Sequence, residues 1–252
     1  MNTERREIIK NHIIKYGEVK VSELQELFPD LSAMTIRRDL AYLEDKGLII
    51  RTRGGARAIP FASSLREDLY SLREVKNIEA KENIAKKAVK FVEAGRSLYF
   101  DSGTTIMSLA RILPDENLSI LTSGPNIGLE IIKKNNPSVT LIGGLISRNN
   151  LSTSGMHCLN FIKAINIDIA FMATSGFSLE SGFTSGNLNE CQIKEAVIKK
   201  ARKTIMLMDS SKIDKNLPFT FATLKDINVL ICENTLPEKI YKAAEKKGVL
   251  LY

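Results

Sequence analysis

The sequence predicts an α/β protein in two parts, a small N-terminal domain of helices with a β-hairpin and a larger domain built on a mainly parallel sheet. Two observations support this prediction. Residues 1–58 contain three segments with helical periodicity, followed by two short apolar runs around a Gly-Gly pair. From residue 97 onward, short apolar runs alternate with amphipathic segments, a pattern typical of parallel strands covered by helices on both faces.

The first elements of the N-terminal domain are two helices separated by a short extended piece. Thr3 can cap a helix that runs to about Tyr16, and Gly17 ends it, because glycine readily adopts the left-handed conformation that follows many helices. Residues 19–21 are predicted to be extended. Ser22 is predicted to cap the second helix, which covers residues 23–28.

The third helix combines an apolar back with a polar front. Ser32 is its predicted N-cap and Gly47 its predicted C-cap. The apolar positions, spaced i, i+4 and i+7, are Ile36, Leu40 and Leu43. The side chains predicted to project away from that stripe near the helix start are Thr35, Arg37 and Arg38. Hydroxyl and guanidinium groups on a short exposed helix suit the major groove of DNA.

A glycine-tipped hairpin is predicted directly after this helix. Leu48–Arg51 is predicted as a strand, Arg53–Gly55 as a tight turn and Ala56–Ile59 as the returning strand. This order of helices and hairpin is that of a winged helix-turn-helix, and its glycines would let the backbone approach a DNA phosphate closely. The predicted DNA-contacting residues are Ser32, Thr35, Arg37, Arg38, Arg51, Arg53 and Arg57.

The charge distribution limits how far composition supports DNA binding. The chain of 252 residues has a net charge of +7. Residues 1–57 carry 11 Lys/Arg and 9 Asp/Glu, a net charge of +2, whereas residues 58–252 carry 25 and 20. Recognition would therefore depend on a few placed arginines rather than on a broadly basic surface. A helix with a merely solvated charged face, in a protein–protein adaptor, stays open as an alternative.

The larger domain is predicted to cover residues 77–252, after a DNA-binding domain at 1–58 and a polar linker with some helical tendency at 59–76. A Lys- and Ala-rich helix opens it at 77–93. The predicted strands are 97–100, 119–122, 139–142, 167–172, 204–208, 229–232 and 249–251, and the predicted helices are 104–113, 125–135, 188–203 and 238–247. In such sheets, ligands bind beyond the carboxyl ends of the strands.

The loops at these strand ends share glycines, hydroxyls and a few charged groups. Asp101–Thr105 follows one strand and opens a helix, so its hydroxyls and free amides would suit a phosphate. Asp209–Lys212 follows another strand and adds a carboxylate and an ammonium. Glu190 and Lys194, four residues apart, are either an exposed ion pair or part of the pocket. The predicted ligand-binding residues are Asp101, Ser102, Gly103, Thr104, Thr105, Ser123, Gly143, Gly176, Asn187, Glu190, Asp209 and Lys212.

Other classes of function receive less support from the sequence. It contains no nucleotide P-loop motif and no metal-ligand spacing, so neither a cofactor nor a metal is expected. The charged residues at the strand ends could form acid–base machinery, which keeps an enzyme open as an alternative. Three widely spaced cysteines and the lack of an apolar leader or membrane-spanning run lead us to expect a cytoplasmic protein.

Several motifs of this chain occur together in one known family. In the N-terminal part they are Val19–Leu24, Met34–Leu40 (Met-Thr-Ile-Arg-Arg-Asp-Leu), Leu43–Gly47 and Arg51–Ala56. In the larger part they are Asp101–Thr105 (Asp-Ser-Gly-Thr-Thr), Gly143–Gly144, Ser175–Gly176, Gly182–Thr184, Asn187–Glu190 and Asp209–Lys212. With these motifs, the chain resembles the DeoR family (DeoR/GlpR type) of bacterial transcriptional regulators over essentially its full length.

The resemblance implies a winged helix-turn-helix followed by a sensor domain whose fold is related to ribose-5-phosphate isomerase and CoA transferases. It also implies a dimer or tetramer on double-stranded operator DNA, a phosphorylated sugar or polyol as effector, and repression of genes of sugar metabolism. The alternative is a sugar-phosphate isomerase or transferase with an appended DNA-binding module.

Overall fold

The computed structural model describes residues 2–46, 48–57 and 68–252. The chain divides into two compact units, residues 1–64 and 65–252. Four predicted features lie outside the described part: the side chain of Thr3, the C-cap Gly47, residues 58–59 of the returning strand, and linker residues 59–67. Along the described part, no helix is both long enough and apolar enough to cross a bilayer.

The N-terminal unit contains three helices and a three-stranded antiparallel sheet. The helices are α1 (Asn2–Tyr16), α2 (Val21–Leu27) and α3 (Ala33–Asp45), and the strands are β1 (Glu18–Lys20), β2 (Ile50–Thr52) and β3 (Gly55–Arg57). The sheet order is β1-β3-β2, so the hairpin β2–β3 pairs with the strand that joins α1 to α2. The core includes Ile9, Ile13, Leu24, Ile36, Leu40 and Leu43. This is the winged helix-turn-helix that the sequence predicts.

The start of α3 follows the prediction and the start of α2 does not. Ser32 caps α3, since its Oγ accepts a hydrogen bond from the Thr35 amide at 3.2 Å. The prediction that Ser22 caps α2 is wrong, because α2 begins at Val21 and Ser22 lies within its first turn. The Glu23 carboxylate instead accepts a hydrogen bond from the Lys20 amide at 2.8 Å, which satisfies an amide at the helix start.

Helices and short strands alternate through the second unit. The helices are α4 (Tyr70–Glu74), α5 (Ile78–Ala88), α6 (Thr104–Arg111), α7 (Pro125–Ile131), α8 (Met156–Ala164), α9 (Leu188–Lys200) and α10 (Glu238–Lys246). The strands are β4 (Ser97–Phe100), β5 (Ser119–Thr122), β6 (Ser138–Leu141), β7 (Leu145–Ile146), β8 (Thr153–Ser154), β9 (Ile167–Ala173), β10 (Gly176–Ser178), β11 (Gly182–Ser185), β12 (Ala201–Leu207), β13 (Phe219–Ala222), β14 (Val229–Ile231) and β15 (Leu250–Leu251). Helix α4 lies within the segment that the sequence analysis assigns to the linker.

Seven of these strands form one parallel sheet in the order β15-β14-β12-β9-β4-β5-β6. Alternate residues of a strand face opposite sides of the sheet, and β4 shows it: Leu98 and Phe100 belong to one apolar core, and Tyr99 belongs to the other. Because all neighbours are parallel, the carboxyl ends of the strands meet at one edge. The predicted α/β class with a two-faced parallel sheet is confirmed.

Several short elements differ from the prediction. Helix α8 and strands β7, β8, β10, β11 and β13 are not predicted, because most are too short to show a periodicity in the sequence. Helix α5 stops at Ala88 and continues as a 3₁₀ turn, Val89–Phe91, rather than as an α-helix to Glu93. Helix α7 ends at Ile131, and β12 begins at Ala201, which shortens α9. None of these differences moves the predicted strand-end loops.

Candidate functional site

The front of α3 presents exposed cations above a buried stripe. Ile36, Leu40 and Leu43 are buried, and Arg37 and Arg38 are exposed. Neither arginine forms an ion pair within the described part of the chain. Both guanidinium groups are therefore available to an external partner that offers phosphates or base edges.

The hydroxyl groups at the start of α3 are less available than the arginines. Thr35 is half-buried, and its Oγ1 lies 3.0 Å from the Oγ of Ser32. Ser32 Oγ also accepts the capping hydrogen bond from the Thr35 amide. Ser32 and Thr35, two of the predicted DNA contacts, thus already form the helix cap. Any contact of theirs with DNA would be made in addition to that role.

A buried carboxylate at Asp39 fixes α3 against α1. Asp39 is 1% exposed, and its two oxygens each accept a hydrogen bond of 2.7 Å, one from Arg5 Nε and one from Arg6 Nε. The Arg6 guanidinium also stacks on the Tyr42 ring, 3.9 Å from its centroid. This clamp is not predicted from the sequence. The sequence signal for the clamp is the position of Asp39, a carboxylate directly before Leu40 on the inward side of the helix.

The hairpin presents three arginines in two different states. Arg51 is paired with Glu44 of α3, with 3.2 Å between Nε and Oε2 and a further hydrogen bond of 3.0 Å from its amide to Oε1. Arg53 and Arg57 are exposed and form no ion pair with any described residue. Arg51 and Arg37 both line a shallow cleft of about 230 Å³ between α3 and the hairpin. The hairpin and the helix thus place cations next to each other.

The two hairpin glycines have different roles. Gly54 has a φ of 124°, which favours glycine, so it makes the turn possible. Gly55 is buried, and a Cβ there would lie 2.0 Å from the Val19 carbonyl oxygen. Gly55 is therefore needed for the pairing of β3 with β1 rather than for an approach to a phosphate.

At the carboxyl edge of the parallel sheet, Asp101 is the best-connected group. Its Oδ1 accepts a hydrogen bond from the Ser102 amide at 2.9 Å, and its Oδ2 accepts one from the Ala173 amide at 3.0 Å. Lys194 Nζ donates to Asp101 Oδ2 and, at 2.9 Å, to the Ala173 carbonyl. Asp101 thus joins the ends of β4 and β9 to α9. This residue, which the sequence predicts to bind a ligand, has a structural role.

Glu190 extends this buried cluster. Its Oε1 lies 3.3 Å from Lys194 Nζ, and its Oε2 accepts a hydrogen bond from Asn150. The interpretation of Glu190 and Lys194 as an exposed ion pair is wrong, because their side chains are 8% and 3% exposed. Helix α9 turns this face toward the sheet edge, and Asn187 caps the helix by accepting from the Glu190 amide at 3.1 Å.

At the loop that follows β4, no described side chain caps the amides at the start of α6. Gly103 is the N-cap of α6 and offers no side chain, so the first-turn amides keep their hydrogen-bonding capacity. Ser102, Thr104 and Thr105 surround these amides and are buried. A Cβ at Gly103 would lie 2.8 Å from the Ala173 Cβ, so the close approach of the two loops requires glycine there.

Ser123 and the remaining predicted residues are engaged locally. Ser123 Oγ accepts a hydrogen bond from the Tyr99 hydroxyl at 2.7 Å, and burial raises the pKa of that phenol well above its usual value. The Gly143 carbonyl accepts from the Cys158 thiol at 2.9 Å. The Gly176 carbonyl accepts from Thr174 Oγ1 at 2.7 Å. Gly143 is exposed, whereas Gly176 is buried within β10.

The loop after β12 forms a second polar group at the same edge. Asp209 Oδ1 accepts hydrogen bonds from the Ser211 amide at 3.1 Å and from Asn77 Nδ2 at 3.0 Å. Lys212 Nζ lies 4.0 Å from Asp209 Oδ2. Since β9 separates β12 from β4, Asp209 is about 10 Å from Asp101 at the usual strand spacing. That distance suits a ligand of several atoms between the two loops.

Lys81 adds a cation that the sequence analysis does not select. It is buried on α5, and burial lowers the pKa of its ammonium to about 8, while the nearby Asp209 carboxylate acts in the opposite direction. Its Nζ donates to the carbonyl groups of Arg73 and Lys76. The available sequence signal is weak, because lysines are frequent in this helix and only the fold buries this one.

Each of the two units matches a protein-family model. Residues 5–60 match the DeoR-like helix-turn-helix domain, and residues 76–234 match the DeoR C-terminal sensor domain. The chain belongs to the DeoR family. The DeoR-family motifs that the sequence analysis quotes therefore lie inside the two matched segments, and the chain is a DNA-binding transcriptional regulator.

Curated DeoR-family relatives are similar over most of the chain. The HTH-type transcriptional regulator GlpR of Haloferax volcanii is 36% identical over 219 residues, which are 86% of this chain and 85% of that protein. The HTH-type transcriptional regulator GolR of Listeria innocua is 31% identical over 247 residues, which are 98% and 96% of the two chains. A partial likeness to ribose 5-phosphate isomerase A of Methanocaldococcus jannaschii covers 56% of this chain and 57% of that one, at 19% identity and a TM-score of 0.42.

Proposed function

We propose that this DeoR-family regulator represses genes of sugar or polyol metabolism and is controlled by a phosphorylated sugar or polyol bound at the carboxyl edge of the sheet. The observation that carries the ligand class is the start of α6. Its first-turn amides have a glycine cap and three buried hydroxyl-bearing neighbours, Ser102, Thr104 and Thr105. Amides and hydroxyls at a helix N-terminus favour a phosphate.

The charged groups of the second loop suit the rest of such a ligand. Asp209 offers a carboxylate oxygen, which would accept from a sugar hydroxyl. Lys212 and Lys81 supply positive charge near the same loop. Amides, hydroxyls, one carboxylate and two ammonium groups together match a small anion with several hydroxyl groups.

DNA recognition would depend on few contacts. Arg37 and Arg38 would reach base edges or phosphates from α3, and Arg51, Arg53 and Arg57 would reach the backbone from the hairpin. A bidentate Arg–guanine contact contributes about 1–3 kcal/mol of discrimination. With so few cations in one N-terminal unit, high affinity requires two or more units on one operator, so we also propose that the active form is a homo-oligomer.

The test combines selection of operators with a panel of metabolites. Genomic fragments retained by the full-length protein are sequenced, and the selection is repeated with sugar phosphates and polyol phosphates. We expect a shared sequence with two half-sites and at least one phosphorylated compound that changes retention. The proposal would be contradicted if the wild-type protein retained only random fragments and the Arg37→Ala variant retained them equally well. Arg96→Ala, which removes an exposed arginine of the second unit, is the matched control.

The enzyme alternative requires a carboxylate that is able to act as a general base, and Glu190 is one candidate. An isomerase would need a carboxylate within reach of a substrate proton, and both oxygens of Glu190 already contact Lys194 and Asn150. Incubation of the full-length protein with ribose 5-phosphate measures turnover directly. Formation of ribulose 5-phosphate that Asp209→Asn abolishes would favour the enzyme.

A further inference from the structure

The segment Asp68–Asn77 enters the second unit directly after the residues that connect it to the N-terminal unit. It contains α4, whose first amide, that of Tyr70, donates to the Asn149 carbonyl at 2.7 Å. We call residues 68–77 the entry segment. Whatever holds this segment in place acts on the stretch of chain through which the sensor domain is joined to the DNA-binding domain.

Charged side chains of the entry segment and of α5 hold the entry segment together. Lys76 Nζ donates to the Asp68 carboxylate at 2.7 Å, and Arg73 Nε donates to the Asp68 carbonyl at 3.0 Å. Lys81 of α5 donates to the Lys76 carbonyl at 2.5 Å and to the Arg73 carbonyl, at the carboxyl end of α4. The positive charge of Lys81 there also favours α4 through its dipole. Because these contacts link its parts, we expect the entry segment to behave as one rigid piece.

Asn77 fastens this piece to the proposed effector site. It lies between α4 and α5 with a φ of 51°, a left-handed conformation that asparagine tolerates better than most residues. Its Nδ2 donates to Asp209 Oδ1 at 3.0 Å and to Ser211 Oγ at 3.1 Å. The side chain therefore crosses from the entry segment to the loop after β12.

Asp209 has one oxygen committed to this anchor and one that accepts no hydrogen bond from a described residue. Its Oδ2 is buried and has no hydrogen-bond partner among the described residues, with Lys212 Nζ at 4.0 Å. A buried carboxylate oxygen without a donor is costly, so it has a strong tendency to accept a hydrogen bond from a ligand hydroxyl. That ligand would bind the same carboxylate that holds Asn77.

We propose that Asp209 couples the effector site to the DNA-binding domain by holding the entry segment through Asn77, and that a bound effector loosens this hold. The proposal rests on the proposed function for the identity of the effector site. A ligand shifts an equilibrium only if it binds the two states with different affinity. Here the difference arises at Asp209, because a hydrogen bond from a ligand hydroxyl to Oδ2 draws electron density away from Oδ1 and weakens the hydrogen bond that Oδ1 accepts from Asn77.

The first experiment needs no ligand. Hydrogen–deuterium exchange is measured on the full-length protein for the amides of Leu72, Arg73 and Lys76, which are hydrogen-bonded within the entry segment. Asn77→Gly keeps the left-handed backbone and removes the amide side chain, and Asp209→Asn removes the carboxylate charge. We expect both variants to exchange these amides about three- to tenfold faster, since one hydrogen bond to a charged group is lost or weakened.

The control is another asparagine that contacts a carboxylate. Asn135 donates to Asp115 at 3.2 Å on an exposed surface of the same unit, and Asn135→Gly should leave the three amides at their wild-type rates. Unchanged rates in Asn77→Gly, or in Asp209→Asn, would overturn the proposal. Acceleration in Asn77→Gly without acceleration in Asp209→Asn would also overturn it, because Ser211 alone would then be the anchor.

The second experiment measures coupling with ribose 5-phosphate and sn-glycerol 3-phosphate as probes. For a probe that binds, we expect a shift of about fivefold or more in operator affinity of the wild-type protein, and a shift reduced to less than about twofold in Asn77→Gly. Probe affinity in Asn77→Gly should stay within about threefold of wild type. A full shift in that variant would overturn the proposal. Lack of binding by both probes would contradict the proposed effector class alone, since the exchange experiment still decides on the anchor.

Discussion

Replacement of Asp39 by alanine should unfold the N-terminal unit rather than simply weaken its contact with DNA. The substitution removes both acceptors of Arg5 and Arg6, which donate at 2.7 Å to a carboxylate that is 1% exposed. A hydrogen bond to a charged group contributes about 1.5–3 kcal/mol, and removal of one partner of a buried ion pair costs about 3–5 kcal/mol. The arginine side chains are 18% and 25% exposed, so water restores part of their solvation. We expect a loss of about 3 kcal/mol.

That loss is large for a unit of this size, because so small a core supplies only about 3–5 kcal/mol of net stability. The assay is urea-dependent hydrogen exchange of α1 and α3 amides in the full-length protein. At a slope near 1 kcal/mol per molar urea, the midpoint of the N-terminal unit should fall by about 3 M. The exchange of α6 amides, which belong to the other unit, should not change.

Two further variants separate this explanation from its rivals. Asp45→Ala removes an exposed carboxylate from the end of α3, and the stability should stay within about 0.5 kcal/mol of wild type. Asp39→Leu combined with Arg5→Met and Arg6→Met replaces the whole cluster with apolar groups and should recover most of the stability. A change below about 1 kcal/mol in Asp39→Ala would refute the reasoning. Loss of operator binding with native α3 exchange would instead make Asp39 a DNA contact.

Three other outcomes follow from the sensor domain. Lys194→Met leaves the carboxylates of Asp101 and Glu190 buried without their shared cation, and urea unfolding should show a loss of about 3–5 kcal/mol from the second unit. Lys81 is charged below its pKa of about 8 and loses its charge above that pH. If its ammonium contributes about 1 kcal/mol of Coulomb energy to binding, calorimetry should show the affinity for a sugar phosphate falling roughly fivefold from pH 7 to pH 9. Lys81→Met should remove this pH dependence. Gly103→Val places a side chain against β9 and should cost about 1–3 kcal/mol in thermal unfolding.

The sequence predicts those parts of the fold whose signal is local. The stripe of Ile36, Leu40 and Leu43 and the cap at Ser32 depend on spacing within one helix, and the structure has both. The strand-end loops are also predictable, because a short apolar run followed by Gly, Ser and Thr marks the carboxyl end of a strand. The antiparallel sheet β10-β11-β13 is not predictable in this way, since β13 lies more than 30 residues from β11 in the chain.

Burial of charge is the part of the site that the sequence cannot predict. Glu190 and Lys194 have the spacing of an ordinary exposed helix pair, and only the packing of α9 on the sheet edge brings Asp101 to the same ammonium. Asn77 and Lys81 carry no motif either, because they act on residues about 130 positions away. In each case the informative fact is a partner that is distant in the chain.

The partners of the arginines in the N-terminal unit also decide which of them DNA can recruit. Arg5 and Arg6 are committed to a buried carboxylate, whereas the pair between Arg51 and Glu44 is about half exposed and costs at most about 1 kcal/mol to break. DNA can therefore recruit Arg51 in addition to the arginines of α3 and the hairpin that form no ion pair with a described residue, Arg37, Arg38, Arg53 and Arg57.

The number of Lys and Arg side chains sets an upper limit on the salt dependence of one bound unit. Residues 1–64 carry 11 of them, and Arg5 and Arg6 are committed to Asp39, which leaves nine. Each neutralised phosphate contributes about −0.9 to the slope of log affinity against log salt, so nine contacts give one unit a slope no steeper than about −8. Two units on one operator would double that limit. A measured slope steeper than about −8 thus requires a second N-terminal unit on the same DNA.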